Sequence, residues 1–441
     1  MGLKGVLARL ASGAPVPVFA IAGLGASEQI QELFLDDRLR RVDTPRAALI
    51  LVVAGAIPDE LSEPLARLHD SIPHPRCTVW WPLGASPTTW LGSFPHHVVI
   101  EDQVPGRLTA IQRELLRGQR RSEPPILPDV DAAPWRGVGP YGQGGTGMTG
   151  GTPYGRPMAE LAPDRDGLRL DLVPLRVGPF FPRFPAGLTL EAKLAGDVIV
   201  EASIPGNPFA AAGLDAPMRP GLRPFIRALS EPVPVAALEL ARTAEHLRWL
   251  ADALAASELR SLGLRVLRLA ASIRPADVDS VRSLTKAIGR TQAFGWSIGG
   301  VGRIGADVLE GLGAGPVGRA AGLAEDARAD DPAYRDLGFE PILHTGGDSA
   351  ARWRQRLAEA AQSLELAGRA GDRRTTPIGS VESPRGRLEP NNCPAARLLP
   401  LVPRLLEGME WGDAVTTLIS LGLDLEEAVA VERLSGKAVA S

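Results

Sequence analysis

The sequence predicts an α/β domain followed by an α+β, mainly helical domain. Two continuous apolar runs, 47–55 (AALILVVAG) and 77–84 (CTVWWPLG), are typical of parallel strands that are buried on both faces. Farther along the chain, one hairpin pattern precedes long segments that carry leucines at helical spacing. We therefore divide the chain into an α/β domain at 1–117, a linker at 118–164 and a second domain at 165–441.

The N-terminal domain has a β-α-β pattern. Residues 59–72 have helical spacing between the two apolar runs, and a third strand at 97–101 precedes a second helix at 107–118. The apolar run near the N-terminus is broken by Gly and Pro and is too short for a signal peptide. No segment is apolar over the length that a membrane-spanning helix needs. We expect the chain to lie on the cytoplasmic side of the cell membrane and to contain no transmembrane helix.

The predicted linker is rich in glycine and proline. Residues 137–155 hold nine glycines, and Tyr141 and Tyr154 lie near the two ends of this stretch. Residues 142–147 match the dinucleotide fingerprint G-x-G-x-x-G, but they follow no strand pattern and open no helix. A connector between two domains is the interpretation that we favour.

The second domain opens on a constrained segment. Gly178-Pro179, Pro182 and Pro185 precede a hairpin, and Phe180, Phe181 and Phe184 lie between them. Leucine and alanine alternate with polar residues from 188 to 194, and a turn at 195–197 leads to a second strand at 198–204. Helical spacing follows at 235–259, at 352–369 and over the last segment, 411–433.

Composition excludes several classes of function. The formal net charge is −3, and the arginines are scattered rather than clustered, which argues against binding to nucleic acid. Cys77 and Cys393 are far apart, so the chain has no Cys-x-x-Cys motif. His69, His74, His96, His97 and His344 show no metal-ligand spacing. We predict no metal site.

A series of motifs in the second domain resembles one family. The order of the motifs is Gly178-Pro179; Glu239, Arg242 and His246; Gly315-Pro316 with Arg319 and Gly322; Asp326 with Arg328; Gly347-Asp348 with Arg352 and Gln362-Ser363-Leu364; and residues 382–386 (ESPRG). This order resembles the quinone-site large subunit of respiratory complex I and the large subunits of membrane-bound nickel–iron hydrogenases. The resemblance implies a large-subunit-type fold for residues 165–441.

The first domain is similar to the small subunit that holds the terminal 4Fe–4S cluster in these complexes. The segments that carry this likeness are AGLGASEQ with Glu28, TPRAALILVVAG, HPRCTVWWPLGAS and QVPGRLT. The chain would then be a fusion of two subunits. The cysteine positions of that family fall on Leu24 or Ala22, on Gly25, near 84–86 and on Arg107. A 4Fe–4S cluster needs four thiolates, so the resemblance implies that the cluster is lost.

The large-subunit sites are changed as well. A hydrogenase would carry a Cys-x-x-Cys pair near the end of the chain, where residues 421–433 contain no cysteine. Complex I relatives place histidines in the entry hairpin, and Phe181 and Pro185 stand at those positions. Neither side chain can exchange a proton or polarise a carbonyl.

Two further groups of residues are candidates. Glu239, Arg242 and His246 share one helix face, either as the remnant of a proton-coupled site or as a buried contact that orients the helix. We expect a second group to have structural and interface roles, with ion pairs that hold packing and docking geometry: Arg319, Asp326, Arg328, Asp348, Arg352, Glu382, Arg385 and Gly386.

The resemblance favours a redox-silent structural and coupling subunit without a cofactor. It would dock peripherally on a complex-I-like or hydrogenase-like assembly, against membrane-embedded, antiporter-like subunits. The alternative is a quinone-binding oxidoreductase subunit with a pocket lined by Phe180, Phe181 and Phe184, which would receive electrons from clusters on other chains. A free-standing soluble scaffold is a third possibility.

Overall fold

The structure is a computed structural model of the chain. It describes residues 13–86, 89–129, 159–211 and 217–439. The glycine-rich stretch with Tyr141, Tyr154 and the fingerprint at 142–147 lies outside these residues.

The N-terminal region forms a five-stranded parallel sheet, as the apolar runs predict. Its strand order is β2-β1-β3-β4-β5. The strands are β1 (Val16–Ala22), β2 (Leu39–Arg41), β3 (Ile50–Ala54), β4 (Cys77–Trp81) and β5 (Val98–Val99), and the helices are α1 (Ser27–Leu33), α2 (Ser62–Asp70) and α3 (Val104–Leu116).

The sheet has an apolar core on each face. Alternate residues of β3 point to opposite sides, so Leu51 and Val53 join one apolar cluster while Ile50 and Val52 join another. Every residue of β3 is buried, which explains the uninterrupted apolar run. The sequence interpretation missed α1, and it also missed β1 and β2, because Pro17 and the short length of β2 weaken the strand pattern.

A four-stranded antiparallel sheet follows, in the order β6-β7-β8-β9. Its strands are β6 (Leu161–Pro163), β7 (Arg169–Val177), β8 (Leu190–Ala195) and β9 (Val198–Ser203). The hairpin β8–β9 confirms the predicted alternation, and β6 and β7 extend the sheet on its other side. Within the predicted linker, therefore, residues 161–163 pair with a strand of the second sheet.

Helices make up most of the remaining chain. They are α4 (Arg223–Ala228), α5 (Val235–Ala256), α6 (Arg260–Ala271), α7 (Val278–Gly289), α8 (Gln292–Ile298), α9 (Ala306–Leu309), α10 (Pro316–Arg319), α11 (Pro332–Arg335), α12 (Ser349–Arg369), α13 (Pro394–Leu398), α14 (Val402–Leu406), α15 (Trp411–Leu421) and α16 (Leu425–Val439). A ribbon of β10 (Val381–Ser383) and β11 (Gly386–Leu388) lies between α12 and α13.

The last predicted helix is two helices. Gly422 has φ of +63° and ends α15 in the left-handed conformation, and α16 begins at Leu425. Glycine reaches this conformation without steric cost, so it is a common helix terminator. The break brings Asp424, Glu426 and Glu427 to the start of a new helix.

The N-terminal sheet and the C-terminal helices share one apolar core. Phe19 and Leu51 of the sheet belong to the same buried cluster as Leu418 of α15 and Leu425 of α16. In the described part of the chain, the longest apolar helical stretches fall short of what a bilayer crossing requires.

Candidate functional site

A cavity of about 220 Å³ lies where the N-terminal sheet meets the second half of the chain. Its walls come from the end of β1, from α1, from the loop 179–186, from α5 and from residues 418–426. Strand order reverses between β1 and β3, and ligands of open α/β sheets bind at the carboxyl ends of the strands at such a point. The cavity therefore occupies a favourable position for a functional site.

The constrained segment of the sequence forms the apolar wall. Phe180, Phe181 and Phe184 all line the cavity, and the rings of Phe181 and Phe184 pack edge to face with centroids 4.9 Å apart. Gly178 holds φ of +103°, and a Cβ there would lie 2.0 Å from the carbonyl oxygen of Leu188. The chain can make this close approach only with glycine, which fixes where the aromatic loop begins.

The floor of the cavity is charged. The Arg219 guanidinium donates to Glu245 and to Asp424. Arg385 Nη1 lies 3.1 Å from Glu245 Oε2 and 3.4 Å from Asp424 Oδ2. Burial by itself would raise the pKa of Glu245, but Arg219 and Arg385 lower it to about 2. These four residues form a ring of alternating charges.

Three more carboxylates lie around this ring. Glu28 Oε1 accepts from the Gly221 N–H at 2.7 Å. Glu426 Oε2 accepts from the Gly25 N–H at 2.9 Å, and Glu427 Oε1 accepts from Ser383 Oγ at 3.1 Å.

Burial shifts the pKa of each of these three groups upward. Burial, followed by the nearby Asp424 carboxylate, raises the pKa of Glu426 to about 7. Burial also raises the pKa of Glu427 to about 7, with Asp424 again adding to the shift. The pKa of Glu28 is raised by burial and then by Glu245.

The mouth of the cavity is lined mainly by arginines. Arg183 pairs with Asp43 at 3.1 Å, and Arg248 donates to Glu32 at 2.5 Å. Arg41 also lines the mouth, together with the half-exposed Asp252. The cavity thus has an aromatic wall, a basic mouth and an acidic floor.

A second charge network lies deeper, and it contains most of the predicted ion-pair residues. Arg319 donates to Glu359 through Nε at 2.7 Å and Nη2 at 3.0 Å, and to Glu382 through Nη1 at 2.7 Å. Arg328 Nη2 donates to Asp326 Oδ2 at 2.7 Å. All five side chains are buried, so the structure places them in the interior, and any effect on docking would act through the shape that they support.

The other predicted structural residues fix turns and helix ends. Asp348 caps α12 by accepting from the Ala351 N–H at 2.7 Å, and Arg352 donates to the carbonyls of Gly347 and Gly302. Gly386 has φ of +138°, and a Cβ there would lie 2.2 Å from the Gly313 oxygen. Arg385 differs from these residues, because it lines the cavity.

Glu239, Arg242 and His246 are fully buried on α5, and none of them lines the cavity. Glu239 accepts from Arg242, from Arg328 and from the Tyr334 hydroxyl, at 3.2, 3.2 and 2.7 Å. Burial lowers the pKa of His246 to about 4, so its ring is neutral at pH 7. Its Nε2 lies 3.4 Å from Glu359 Oε2, yet neither ring nitrogen makes a hydrogen bond within the described residues.

Ser383 connects the two charge networks. Its backbone oxygen accepts from Arg242 Nη1 at 2.8 Å, and its hydroxyl donates to Glu427 at 3.1 Å. The Arg385 N–H donates to the same hydroxyl at 3.1 Å. A single residue, Ser383, therefore lies between Glu427 and the deeper network.

The residues at the predicted cluster positions do not fit an iron–sulfur cluster. A Cβ on Gly25 would lie 2.8 Å from the Pro217 Cβ, so the loop has no room for a cysteine side chain in this conformation. Arg107 is exposed on α3. Cys77 is 2% exposed in β4, and burial raises the pKa of its thiol, as expected of a small core residue rather than a ligand.

Within the described ranges, no three His, Cys, Asp or Glu side chains are arranged to hold a metal ion. His69 instead lies between Asp70 and Glu123, at 2.8 and 3.0 Å, and His344 contacts Gln355 at 2.7 Å.

The fold and the site define a two-part protein, a parallel α/β sheet joined to a helical region, with a charged cavity between them. Residues 279–397 match the family model described as the 49 kDa subunit of respiratory-chain NADH dehydrogenase. The matched segment runs from α7 to α13 and includes Arg319, Asp326, Glu359, Glu382 and Arg385, so the similarity is confined to this part of the helical region. A search of curated proteins finds no match to the chain.

Sequence interpretation missed most of the cavity floor. The sequence analysis did not identify Arg219, Glu245, Asp424 and Glu426, which line the cavity, or the adjoining Glu427, although residues 424–427 include three acidic side chains. The neighbouring position of Glu245 and His246 on α5 was the other available signal.

Proposed function

We propose that the chain is a redox-silent structural and coupling subunit of a complex-I-like or hydrogenase-like assembly. The observation that carries the proposal is the loop at Gly25. The position that the resemblance assigns to a thiolate of the small subunits holds a glycine, which packs against Pro217 and donates to Glu426. A cluster ligand is replaced by a contact between the two halves of the chain.

The matched segment supports the structural part of this role. The interior pairs of Arg319, Asp326 and Glu382 lie within residues 279–397, the part that matches a subunit of a multisubunit respiratory complex. Losing one partner of a buried pair leaves an uncompensated charge, so such networks hold a single geometry. We infer that the N-terminal sheet is a small-subunit-like domain fused in front of it.

The partners in this proposal are membrane-embedded, antiporter-like subunits, with the chain attached peripherally at the cytoplasmic side. The test is affinity purification of the tagged chain from detergent-solubilised membranes, with identification of the partners and an iron assay. Co-purification of ion-translocating subunits without iron on this chain is the expected result. Recovery of the chain alone, or stoichiometric bound iron in it, would overturn the proposal.

Interior variants test the coupling part. Asp326→Asn removes one charge that Arg319 and Arg328 share, while Glu407→Gln changes an exposed carboxylate and serves as the control. We expect lower recovery of the complex with Asp326→Asn only, in preparations whose circular dichroism shows a folded chain. Equal recovery of the complex with both variants would count against the proposal.

A quinone-binding oxidoreductase subunit remains the second candidate, because three phenylalanines line the cavity. This role would need electrons from clusters on other chains. A titration with a short-chain ubiquinone analogue, followed by calorimetry, separates the two functions. Saturable binding that Phe181→Ala abolishes, together with quinone-dependent turnover of the purified complex, would favour this candidate over the silent role.

A further inference from the structure

The floor of the cavity holds more carboxylates than guanidinium groups. In the part of the chain that the structure describes, Arg219 and Arg385 are already engaged by Glu245 and Asp424. Three buried carboxyl groups remain around this ring: Glu28, Glu426 and Glu427.

Each of these three groups has weak electrostatic compensation. The contacts of Glu426 are neutral donors, the Gly25 N–H at 2.9 Å and Ser27 Oγ at 3.4 Å. Glu28 lies 3.5 Å from Arg219 Nη1, which Glu245 already contacts more closely. Arg385 Nη1 is 3.7 Å from Glu427, beyond the distances to its other partners.

Glu427 supplies an independent observation. Its side chain is 0% exposed, and its Oε2 has no hydrogen-bond partner among the described residues. A buried carboxylate oxygen that no donor meets is costly, whereas a protonated carboxyl group needs no charge partner. This oxygen is a suitable position for a proton.

The position of Glu426 and Glu427 at the start of α16 does not remove their preference for the protonated form. A helix N-terminus favours negative charge, and Glu426 and Glu427 both lie in the first turn of α16. The effect of a helix dipole is small compared with the cost of burying an ion away from water, so it lowers the proton affinity without removing it.

We propose that the floor of the cavity and the adjoining Glu427 form a proton-binding site, in which Glu426, Glu427 and Glu28 hold protons in place of counter-ions that the two arginines do not supply. Binding forms one O–H bond on a carboxylate oxygen, with the proton taken from solvent, and nothing is oxidised or reduced. The cavity extends from Glu28 and Glu426, which both line it, to the half-exposed Asp252, which gives these two carboxyl groups access to water. The raised pKa values of Glu426 and Glu427, about 7 for each, agree with this assignment.

The groups that face the site come from several elements. Arg219 precedes α4, Glu245 and Arg248 project from α5, Arg385 follows β10, and Asp424 precedes α16. Cys393 also lies near Glu427, and burial raises the pKa of its thiol to about 12, so it stays protonated at neutral pH.

The proton site deepens the proposed coupling role, because protonation at Glu427 would reach the deeper charge network through Ser383. In that respect the proton site rests on the proposed function. The proton site and the coupling role can be refuted separately. If the chain purifies with its partners but binds no proton, only the proton site is refuted. A bound proton in a chain without partners refutes the coupling role alone.

The test is infrared spectroscopy of the purified full chain between pH 5 and pH 9, in normal and heavy water. We expect a protonated-carboxyl carbonyl band at pH 6 that shifts in heavy water and disappears as the pH rises through about 7. Glu427→Gln and Glu426→Gln should each weaken the band, the remainder coming from the other protonated carboxyl groups of the site, and Glu407→Gln, at an exposed position, should leave it unchanged.

Absence of the band in the wild-type protein at pH 6 overturns the proposal without recourse to any variant. The same conclusion follows if both glutamine variants fold, as judged by their melting curves, and keep the full band. Loss of the band when sodium replaces potassium at constant ionic strength would assign the floor to a metal cation, and would also overturn the proton site.

Discussion

Glu426 accepts a hydrogen bond from the backbone N–H of Gly25 at 2.9 Å, across 401 positions of the sequence. The contact joins the first turn of α16 to the loop that follows β1. Leu425, next to Glu426, packs in the same apolar cluster as Phe19 and Leu51 of the sheet. Because one core and one cavity are built from both ends of the chain, we expect the two halves to unfold together.

Arg319 is the residue whose loss should cost the most stability in the deeper network. Arg319→Met removes a buried guanidinium and leaves Glu359, Glu382 and Asp326 facing one another without it. We expect the free energy of unfolding in urea to fall by about 3–5 kcal/mol.

The matched control for this variant is Arg227→Met, which breaks an exposed pair with Glu231 on the surface. An exposed pair at this spacing is worth about 0.5 kcal/mol or less. Equal losses in the two variants would show that the interior network contributes no more than a surface pair.

Gly178→Ala tests the constraint on the aromatic loop. The new Cβ would lie 2.0 Å from the Leu188 oxygen, and the backbone would keep a positive φ. We expect a loss of about 3 kcal/mol or more in unfolding free energy, together with weaker binding of any ligand in the cavity.

The control for the glycine variant is Gly338→Ala, since Gly338 has φ of +66° with open space around it. It should lose only the cost of the left-handed conformation, about 1–2 kcal/mol. A similar loss at both positions would mean that the close approach to Leu188 is not limiting.

His246 should make stability depend on pH in mildly acidic solution. Burial lowers its pKa to about 4 in the folded protein, against 6.5 for an ordinary histidine, so the unfolded chain binds the extra proton first. The stability is fully present above pH 6.5 and falls by about 3 kcal/mol as the pH drops to 4.

His246→Gln should remove this part of the pH dependence, as measured by urea unfolding at pH 4.5 and pH 7. His96→Gln, at an exposed histidine, should change little. If His246→Gln keeps the wild-type slope over this window, the ring is not held neutral by the fold.

Glu427 should have the opposite pH dependence. Its folded pKa of about 7 lies above the ordinary value of 4.5, so the stability it contributes at low pH is lost as the pH rises from 4.5 to 7. Relative to wild type, Glu427→Gln should therefore be more stable at pH 8 than at pH 5 by about 2 kcal/mol.

The amide oxygen that Glu427→Gln introduces can still accept from Ser383 Oγ at both pH values, so this contact cancels in that difference. Glu407→Gln is again the control, and its difference between the two pH values should be close to zero. A pH-independent effect of Glu427→Gln would show that Glu427 is ionised throughout.

Local patterns predicted a substantial part of the fold. The apolar runs at 47–55 and 77–84 became β3 and β4, and the spacing at 235–259 became α5. These elements were predictable because their periodicity reflects burial on one or both faces. The motif order likewise indicated a resemblance to the complex I large subunit, and residues 279–397 match the model of the 49 kDa subunit.

Other elements could not be read from local sequence. Strand β2 is three residues long and gains its pairing from β1, and the division of the last helix depends on one left-handed glycine, Gly422. The likeness of the first domain to a cluster-bearing subunit, and that of the second to a large subunit as a whole, stay predictions.

The sequence by itself determined the sheet and helix classes, the absence of cysteine at positions 25 and 107, and the list of charged residues. Only the tertiary structure decided which charges meet. Arg319 and Asp326 lie in the interior, and His246 lies outside the cavity. Glu28, Glu426 and Glu427 lie close to two arginines that already pair with other carboxylates. The physical reason is that the proton affinity of a side chain depends on its burial and on its neighbours in space, and both depend on contacts between distant parts of the chain.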